Sequence, residues 1–149
     1  MDKDKIKFQS SIIINASSKN VWNAIKDHKN WNQWTNIVHS GNGEIKTDSD
    51  ITISFNSPDG VLTFERKIIT YEEGKQFGWS GEAFQGLKDY HHFTVETLEN
   101  GQTKFTQADG FWGAKVEGIE VMEEQTKQAY ELMNADLKKY IESIFPEVI

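Results

Sequence analysis

The chain has 149 residues, no cysteine and a formal net charge of −7 at pH 7. A single domain of this length can bury roughly 70% of its unfolded surface, and the lack of cysteine excludes disulfides, a thiolate nucleophile and a cysteine-bound metal. The cationic side chains, fifteen lysines and the one arginine Arg66, are scattered among acidic residues, whereas nucleic-acid binding needs a clustered basic face. We therefore predict one domain over residues 1–149 that binds neither nucleic acid nor anionic membranes.

No segment has the pattern of a signal peptide or a membrane span. Residues 1–5 mix both charge signs and precede only a short apolar run, whereas a secretory signal has a basic start and a longer apolar region. A transmembrane helix needs about 20 apolar residues, which no stretch approaches. We expect a cytoplasmic protein without stable membrane insertion, either a monomer or a homodimer.

The N-terminal third begins with a strand and two short helices. Residues 6–15 are largely apolar and β-branched, which predicts a strand. Ser17 and Ser18 are suitable N-caps for a helix. The residues that follow on one helical face are Val21, Ala24, Ile25 and His28. Trp31 and Trp34 lie in an Asn-rich segment and predict a short irregular helix, which either borders the mouth of a ligand site or plugs the edge of a sheet.

Residues 37–113 have the pattern of successive strands separated by turns. The predicted strands cover residues 37–46, 50–57, 61–72, 75–84, 88–98 and 102–112. Turn signals lie at Ser57–Gly60, Glu73–Gly74 and Glu99–Gly101. Connections this short join antiparallel neighbours, because parallel strands need crossover connections of a dozen or more residues.

The clearest amphipathic pattern covers residues 116–145 and predicts a long C-terminal helix. Its apolar stripe consists of Met122, Thr126, Ala129, Tyr130, Met133, Leu137, Tyr140, Ile141 and Ile144. Such a helix is about 40 Å long but only about 10 Å wide. One helix cannot fill the concave face of a strongly curved, seven-stranded antiparallel sheet, so the predicted α+β fold leaves a cavity between sheet and helix.

Strand alternation predicts which side chains face this cavity. The inward-facing set is Ile51, Ile53, Phe55, Phe64, Arg66, Ile68, Phe77, Trp79, His91, Phe93, Val95, Phe105, Gln107, Asp109 and Phe111. Each aromatic residue of this set can equally belong to an ordinary core. The four polar members need partners when buried, since an unpaired polar group costs several kcal/mol, and polar groups among apolar ones are typical of a ligand site.

From this set and the helix stripe we predict eleven ligand-binding residues. They are Phe55, Phe64, Arg66, Trp79, His91, Phe93, Phe105, Gln107, Asp109, Tyr130 and Met133. The alternative is that Arg66 and Asp109 simply pair with each other, or that a bulged strand turns these polar residues to water.

The sequence predicts neither a metal site nor a covalent nucleophile, and we expect no cofactor. His91 and His92 project to opposite faces of a strand, and no His-x-His or His-Glu-x-x-His spacing occurs. The chain also lacks a Gly-x-Ser-x-Gly elbow and a glycine-rich phosphate loop before a helix. An acid–base pair of His91 and Asp109 is conceivable if their strands are neighbours, with Arg66 as a third polar group.

Several local phrases carry a family resemblance. They are Val21-Trp22, Phe77-Gly78-Trp79-Ser80-Gly81, His91-His92-Phe93-Thr94-Val95-Glu96, Thr103-Lys104-Phe105-Thr106-Gln107 and Asp109-Gly110-Phe111-Trp112-Gly113. With the element order, they make residues 8–143 resemble the START-related, birch-pollen-allergen-like (SRPBCC) superfamily, and within it the bacterial polyketide cyclase/dehydrase-like branch. The resemblance implies a helix-grip fold, in which a curved sheet wraps around the C-terminal helix.

Three functions follow from this combination. The first is binding of a small hydrophobic or amphipathic molecule, such as a lipid, without a cofactor. The second is a cofactor-free cyclase or dehydratase that uses His91, Asp109 and Arg66. The third is a protein-interaction role like that of the related heat-shock ATPase-activator branch, which the chain resembles mainly in the helix around Val21 and Trp22 and in the segment from Trp31 to Trp34.

Overall fold

The computed structural model describes residues 6–84 and 86–145, the side chain of Phe84 excepted. Within these ranges the elements are β1 (Phe8–Ile14), α1 (Ser18–Lys26), a 3-10 helix (His28–Gln33), β2 (Val38–Asn42), β3 (Asp50–Ser57), β4 (Gly60–Glu72), β5 (Gln76–Phe84), β6 (Leu87–Thr97), β7 (Thr103–Asp109), β8 (Phe111–Gly113) and α2 (Ile119–Ile144). The predicted first strand, both short helices, the later strands and the long helix are all present.

All strands belong to one antiparallel sheet. Its order is β1-β7-β6-β5-β4-β3-β2, and the short β8 pairs with β6 beyond the end of β7. The sheet therefore runs as a meander from β2 to β7, and β1 forms its other edge by pairing with β7. The predicted α+β architecture, a curled seven-stranded sheet with a long C-terminal helix, is confirmed.

Three predicted boundaries differ clearly from the structure, and two of them have identifiable reasons. The strand predicted over residues 37–46 covers only Val38–Asn42. The strand predicted over residues 102–112 is divided at Gly110, whose N–H donates to Oδ1 of Asp109 at 2.7 Å. This N–H is therefore satisfied locally rather than in the strand ladder, and β8 begins one residue later. The helix predicted from residue 116 begins at Ile119, after Gly118 in a left-handed conformation with φ 78°.

The 3-10 helix plugs one end of the sheet. Trp31 is fully buried, and its Nε1–H donates to the carbonyl of Ile25 at 3.1 Å. Its ring lies against Trp79 and Phe93, with centroids 6.0 and 5.6 Å away. His28, predicted on the face of α1, instead opens the 3-10 helix and lies 2.8 Å from the carbonyl of Asn42 through Nε2. The sequence left open whether Trp31 borders the mouth of a ligand site or plugs the edge of the sheet, and in the structure Trp31 belongs to the plug.

The two halves of α2 have different surroundings. Its buried residues begin at Tyr130 and continue as Met133, Asn134, Leu137 and Ile141. This C-terminal half is anchored to the end of β1, because Lys138 donates to the carbonyl of Ile13 at 2.9 Å and Glu142 accepts from the N–H of Asn15 at 2.8 Å. The half before Tyr130 has no buried residue. The trough of the sheet is therefore packed under one half of the helix and open under the other.

Among the described residues, no helix combines the length and apolar character required to cross a membrane.

Candidate functional site

An open cavity of about 390 Å³ lies under the N-terminal half of α2. Its apolar lining consists of Ile37, Ile53, Phe55, Leu62, Phe64, Trp79, Ala83, Phe111, Met122 and Ala129. Its polar lining consists of Asn56, Arg66, Asp89, His91, Asp109, Gln125, Thr126 and Tyr130. A larger depression of about 740 Å³ lies on the outer face of the sheet around His92, Thr94 and Thr106, but it does not face α2. The sequence predicts a site between sheet and helix, and the smaller, more apolar cavity lies there.

Seven of the eleven predicted ligand-binding residues line this cavity. They are Phe55, Phe64, Arg66, Trp79, His91, Asp109 and Tyr130. The side chains come from β3 to β7 and from α2, so adjacent strands bring them together. The register places Trp79 opposite His91 and Phe64 opposite Ile53. Strand alternation correctly placed these sheet residues on the concave face.

The other four predicted residues do not line the cavity. Phe93, Phe105 and Met133 are at most 2% exposed and belong to the hydrophobic core. Gln107 is fully buried and is hydrogen-bonded to His91 and Asn134. Their strand faces were assigned correctly, but alternation does not show how far along the trough the helix makes direct contact. These four lie where α2 closes on the sheet.

Arg66 pairs with Asp89 and not with Asp109. Its Nη2 and Nε lie 2.9 and 3.2 Å from Oδ2 of Asp89, and the two side chains are 4% and 12% exposed. The predicted alternative of an Arg66–Asp109 pair is therefore wrong. The sequence analysis missed Asp89 as a site residue, although it lies two residues before His91 and thus on the same face of β6. Strand alternation places Asp89 on the cavity face, but the sequence analysis assigned only His91, Phe93 and Val95 of this strand to that face.

The remaining contacts hold the guanidinium of Arg66 in place. Its Nη1 donates to the carbonyls of Glu65 at 2.8 Å and Glu82 at 3.3 Å. The ring of Phe64 lies 4.7 Å from the guanidinium carbon and covers one of its faces. Gly81 makes room for the side chain, since a Cβ there would lie 2.7 Å from Cδ of Arg66. This arginine is a fixed element of the cavity wall.

A chain of hydrogen bonds determines the tautomer of His91. It starts at the carbonyl of Ser10, which can only accept, so Nδ2 of Asn134 donates to it at 3.3 Å. Oδ1 of Asn134 then accepts from Nε2 of Gln107 at 2.7 Å. Oε1 of Gln107 therefore accepts from His91, at 2.9 Å. The proton of the neutral imidazole is on Nε2, and Nδ1 is an acceptor that faces Tyr130.

Tyr130 joins His91 to Asp109. Its hydroxyl lies 3.2 Å from Nδ1 of His91 and is hydrogen-bonded to Oδ2 of Asp109. Burial, reinforced by the charge of Asp89, raises the pKa of Asp109 to about 8, with the hydrogen bond from Tyr130 opposing. Burial lowers the pKa of His91 to about 3. At neutral pH His91 is therefore uncharged and Asp109 is mostly protonated, and the hydroxyl of Tyr130 lies between Oδ2 of Asp109 and Nδ1 of His91.

The cavity wall consequently has little net charge at neutral pH. Burial raises the pKa of Asp89, and the attraction and hydrogen bonds of Arg66 oppose this shift. Burial also raises the pKa of Tyr130 well above its usual value. The charged groups facing the cavity are thus one arginine and one aspartate in contact with each other.

The sequence analysis also missed the contribution of the first turns of α2. Met122, Gln125, Thr126 and Ala129 line the cavity at i, i+3, i+4 and i+7 spacing. Two of them, Gln125 and Thr126, are polar. The heptad-like spacing was visible as a stripe, but a stripe does not distinguish residues that pack against the core from residues that face a cavity.

No group of three His, Cys, Asp or Glu side chains is placed to hold a metal ion in the part of the chain that the structure describes.

Comparisons with known proteins agree with this architecture. A family model described as polyketide cyclase / dehydrase and lipid transport matches residues 5–142. No curated protein sequence shows significant similarity to the chain.

Solved structures show the same fold at low sequence identity. A START superfamily protein from Mycobacterium smegmatis matches with a TM-score of 0.76 and 13% identity, over 93% of this chain and 99% of that chain. Zhui aromatase/cyclase from Streptomyces sp. R1128 matches with a TM-score of 0.75 and 9% identity, over 92% and 94%. Ara h 8.0201 matches with a TM-score of 0.72 and 13% identity, over 91% and 97%. These likenesses show the fold alone.

Proposed function

The chain belongs to the polyketide cyclase/dehydrase and lipid transport family, and from this membership we propose that it binds one small, largely apolar molecule between the sheet and α2. The observation that carries the proposal is the open cavity of about 390 Å³ under the N-terminal half of α2. This volume lies within the range of roughly 300–1,000 Å³ that is typical of ligand pockets.

The chemistry of the lining supports an amphipathic ligand. Aromatic and aliphatic side chains, among them Phe55, Phe64 and Trp79, form most of the wall. The charged and ionisable side chains lie together: Arg66 contacts Asp89, and Tyr130 connects Asp109 to His91. The apolar part of a ligand would be buried against the aromatic and aliphatic side chains, and its polar groups would contact the charged and ionisable side chains.

A pair of matched variants of α2 tests this proposal. Ala129 lines the cavity, whereas Ala135 is exposed on the same helix. The probe is N-phenyl-1-naphthylamine, a neutral dye whose emission rises in apolar surroundings. We expect the wild-type protein to bind it, Ala129→Phe to bind it at least about tenfold more weakly because the ring fills the cavity, and Ala135→Phe to bind it like wild type. Equal binding by Ala129→Phe and wild type would place the dye elsewhere and contradict the proposal.

A second candidate function is cofactor-free acid–base catalysis on a bound polyketide-like substrate. The observation that favours it is the contact of Tyr130 with both Asp109 and His91 in the cavity wall. Because its pKa is raised to about 8, Asp109 carries a proton at neutral pH and is suited to act as an acid. His91 is the weaker candidate for an acid, because burial lowers its pKa to about 3 and the proton of the neutral ring is donated to Gln107. Turnover that is lost in a folded Asp109→Asn protein would support catalysis.

The alternative of a pure protein-interaction module receives less support, because such a module needs no open apolar cavity. Cytoplasmic location stays a prediction, and so does the choice between monomer and homodimer.

A further inference from the structure

The chain contains two Asn-Gly pairs, Asn42-Gly43 and Asn100-Gly101. In such a pair the backbone nitrogen of the glycine can attack Cγ of the asparagine, because glycine has no Cβ to hinder the approach. The nitrogen loses its proton, the side-chain amide leaves as ammonia, and a cyclic succinimide forms. Water then opens the ring at either of its carbonyl carbons, which yields aspartate or isoaspartate. The two pairs therefore have the same intrinsic chemistry, and the fold decides whether each of them reacts.

The structure leaves the pair at Asn42 free to react. Asn42 is the last residue of β2, and both Asn42 and Gly43 are exposed. Among the described residues, none forms a hydrogen bond with the side-chain amide of Asn42 or with the N–H of Gly43. Both residues line an open depression of about 530 Å³, together with Asp50 and Lys67. Water therefore has access to the succinimide that would form there.

The turn after β2 requires the glycine of this pair. Gly43 has a positive φ of 87°, and a Cβ at this position would lie 2.7 Å from the carbonyl oxygen of Asp50. Any other residue would be strained in this conformation and would collide with the backbone. The reactivity of Asn42 is thus a consequence of the backbone geometry that ends the strand.

The pair at Asn100 is restrained on both reacting groups. The N–H of Gly101 donates to the carbonyl of Leu98 at 2.9 Å. Nδ2 of Asn100 donates to Oε1 of Gln102 at 2.7 Å, and Oδ1 accepts from the N–H of Gln102 at 3.1 Å. The attack on Cγ would have to break these hydrogen bonds before the ring could close.

We propose that Asn42 is a site of spontaneous modification, which converts to isoaspartate and aspartate in the folded protein, and that Asn100 is protected. This inference is independent of the proposed ligand. Each conversion consumes water, releases ammonia and adds a negative charge. In isoaspartate the main chain also runs through Cβ and Cγ of residue 42, so that the end of β2 is lengthened.

His28 distinguishes the two products. It is 1% exposed, and its Nε2 lies 2.8 Å from the carbonyl oxygen of Asn42. A carbonyl only accepts, so Nε2 carries the proton. In the aspartate product this carbonyl stays in the main chain. In the isoaspartate product the same carbon carries the free carboxylate, so that a negative charge is formed next to the buried imidazole.

A carboxylate at this position should raise the pKa of His28. Burial now lowers this pKa, and Lys29 acts in the same direction, whereas the hydrogen bond to Asn42 and the charge of Asp27 oppose the shift. The other neighbours of the ring, Trp31 and Gly41, are uncharged. An adjacent negative charge favours the protonated imidazole.

Peptide mapping by mass spectrometry tests the proposal on the unmodified protein. Folded protein is incubated at mildly alkaline pH for several weeks, and a parallel sample is kept in guanidinium chloride. In the folded sample we expect Asn42 to convert to isoaspartate and aspartate, and Asn100 to convert at least about tenfold more slowly. In the denatured sample both asparagines should convert at comparable rates, because the hydrogen bonds of Asn100 are lost.

The variant Asn42→Asp is the matched control for His28. It adds the same negative charge at residue 42 but keeps the main-chain carbonyl that accepts from His28. Anion-exchange chromatography separates the isoaspartate form of the incubated protein, and the ring nitrogens of His28 are titrated by NMR. We expect the pKa of His28 to be higher in the isoaspartate form than in both Asn42→Asp and freshly purified wild type.

Each outcome bears on the proposal. Intact Asn42 in folded protein, with conversion in the denatured sample, would overturn it, and so would equal conversion of Asn42 and Asn100 in folded protein. If His28 titrates alike in the isoaspartate form and in Asn42→Asp, the carboxylate does not form next to the imidazole and the assigned geometry is wrong. If Asn42→Asp does not fold, the comparison of folded and denatured wild-type protein decides.

Discussion

The ring of Tyr130 stacks on that of His91, with centroids 4.4 Å apart and planes inclined by 18°. The same tyrosine reaches Nδ1 of His91 at 3.2 Å through its hydroxyl, which is also bonded to Asp109. One residue of α2 thus connects the helix to two strands of the sheet, at the boundary between the packed and the open part of the trough. Tyr130 contributes both ring packing and hydrogen bonds, and a substitution that removes only the hydroxyl separates the two contributions.

Tyr130→Phe keeps the ring and removes the hydroxyl. We expect it to lower the free energy of unfolding by about 1–3 kcal/mol, because His91 Nδ1 and Asp109 Oδ2 both lose their buried partner. Urea unfolding followed by circular dichroism measures the difference. The matched control is Tyr140→Phe, since Tyr140 lies on the same helix and stacks on Trp34 without a hydroxyl hydrogen bond to any described residue. Equal losses in both variants would show that the hydroxyl of Tyr130 is not engaged as described.

The titration of Asp109 predicts a pH dependence of stability. Its pKa in the folded protein, about 8, is above its ordinary value of 3.8, so the native state binds more protons and stability falls as pH rises between these values. The lowered pKa values of His28, His91 and His92 act in the opposite direction, mainly below their ordinary value of 6.5. Between pH 6.5 and 8 the effect of Asp109 therefore dominates, and we expect the free energy of unfolding to fall by up to about 2 kcal/mol.

Asp109→Asn checks this assignment. The amide is neutral like the protonated acid and can donate to Tyr130, so the variant should fold and should lose the decrease in stability between pH 6.5 and 8. Urea unfolding at the two pH values gives the comparison. Asp50→Asn, at an exposed side chain, should keep the wild-type decrease. An equal decrease in Asp109→Asn would assign the titration to another group.

The buried pair of Arg66 and Asp89 predicts a strongly non-additive double mutant. Asp89→Leu leaves a guanidinium without its counter-charge, and we expect a loss of about 3–5 kcal/mol in the free energy of unfolding. Adding Arg66→Met should recover most of that loss, because it removes the buried charge itself. The exposed pair of Lys67 and Asp50, with 3.9 Å between Nζ and Oδ1, provides the contrast, and its disruption should cost at most about 1 kcal/mol. Additive losses at positions 66 and 89 would contradict the coupling.

Gly81 predicts the effect of a single added methyl group. A Cβ at this position would lie 2.6 Å from the carbonyl oxygen of Glu65 and 2.7 Å from Cδ of Arg66. Because one of these atoms belongs to the backbone of the neighbouring strand, Gly81→Ala should destabilise the protein by about 1–3 kcal/mol in thermal or urea unfolding. A variant as stable as wild type would mean that the strand and Arg66 move without cost.

Much of the fold and part of the site were predictable because they depend on local patterns. Period-2 alternation placed Trp79, His91 and Asp109 on the concave face, and helical periodicity identified α2. Asp89 was missed because it is charged and lies in a strand whose apolar residues dominate the pattern. The division of the last long strand at Gly110 was also missed, since it depends on a side-chain hydrogen bond from Asp109.

The sequence by itself determined the order of the elements, the faces of the strands and the family resemblance, because each of these is set by residue type at fixed spacing along the chain. Tertiary structure alone decided which inward-facing residues are core and which line the cavity. Phe93 and Phe105 share their faces with cavity residues, yet they belong to the core that includes Leu137 and Ile141. These two residues lie in the half of α2 that Lys138 and Glu142 anchor to the end of β1. How closely a helix approaches a curved sheet depends on contacts between residues more than 100 positions apart, and no local pattern records that distance.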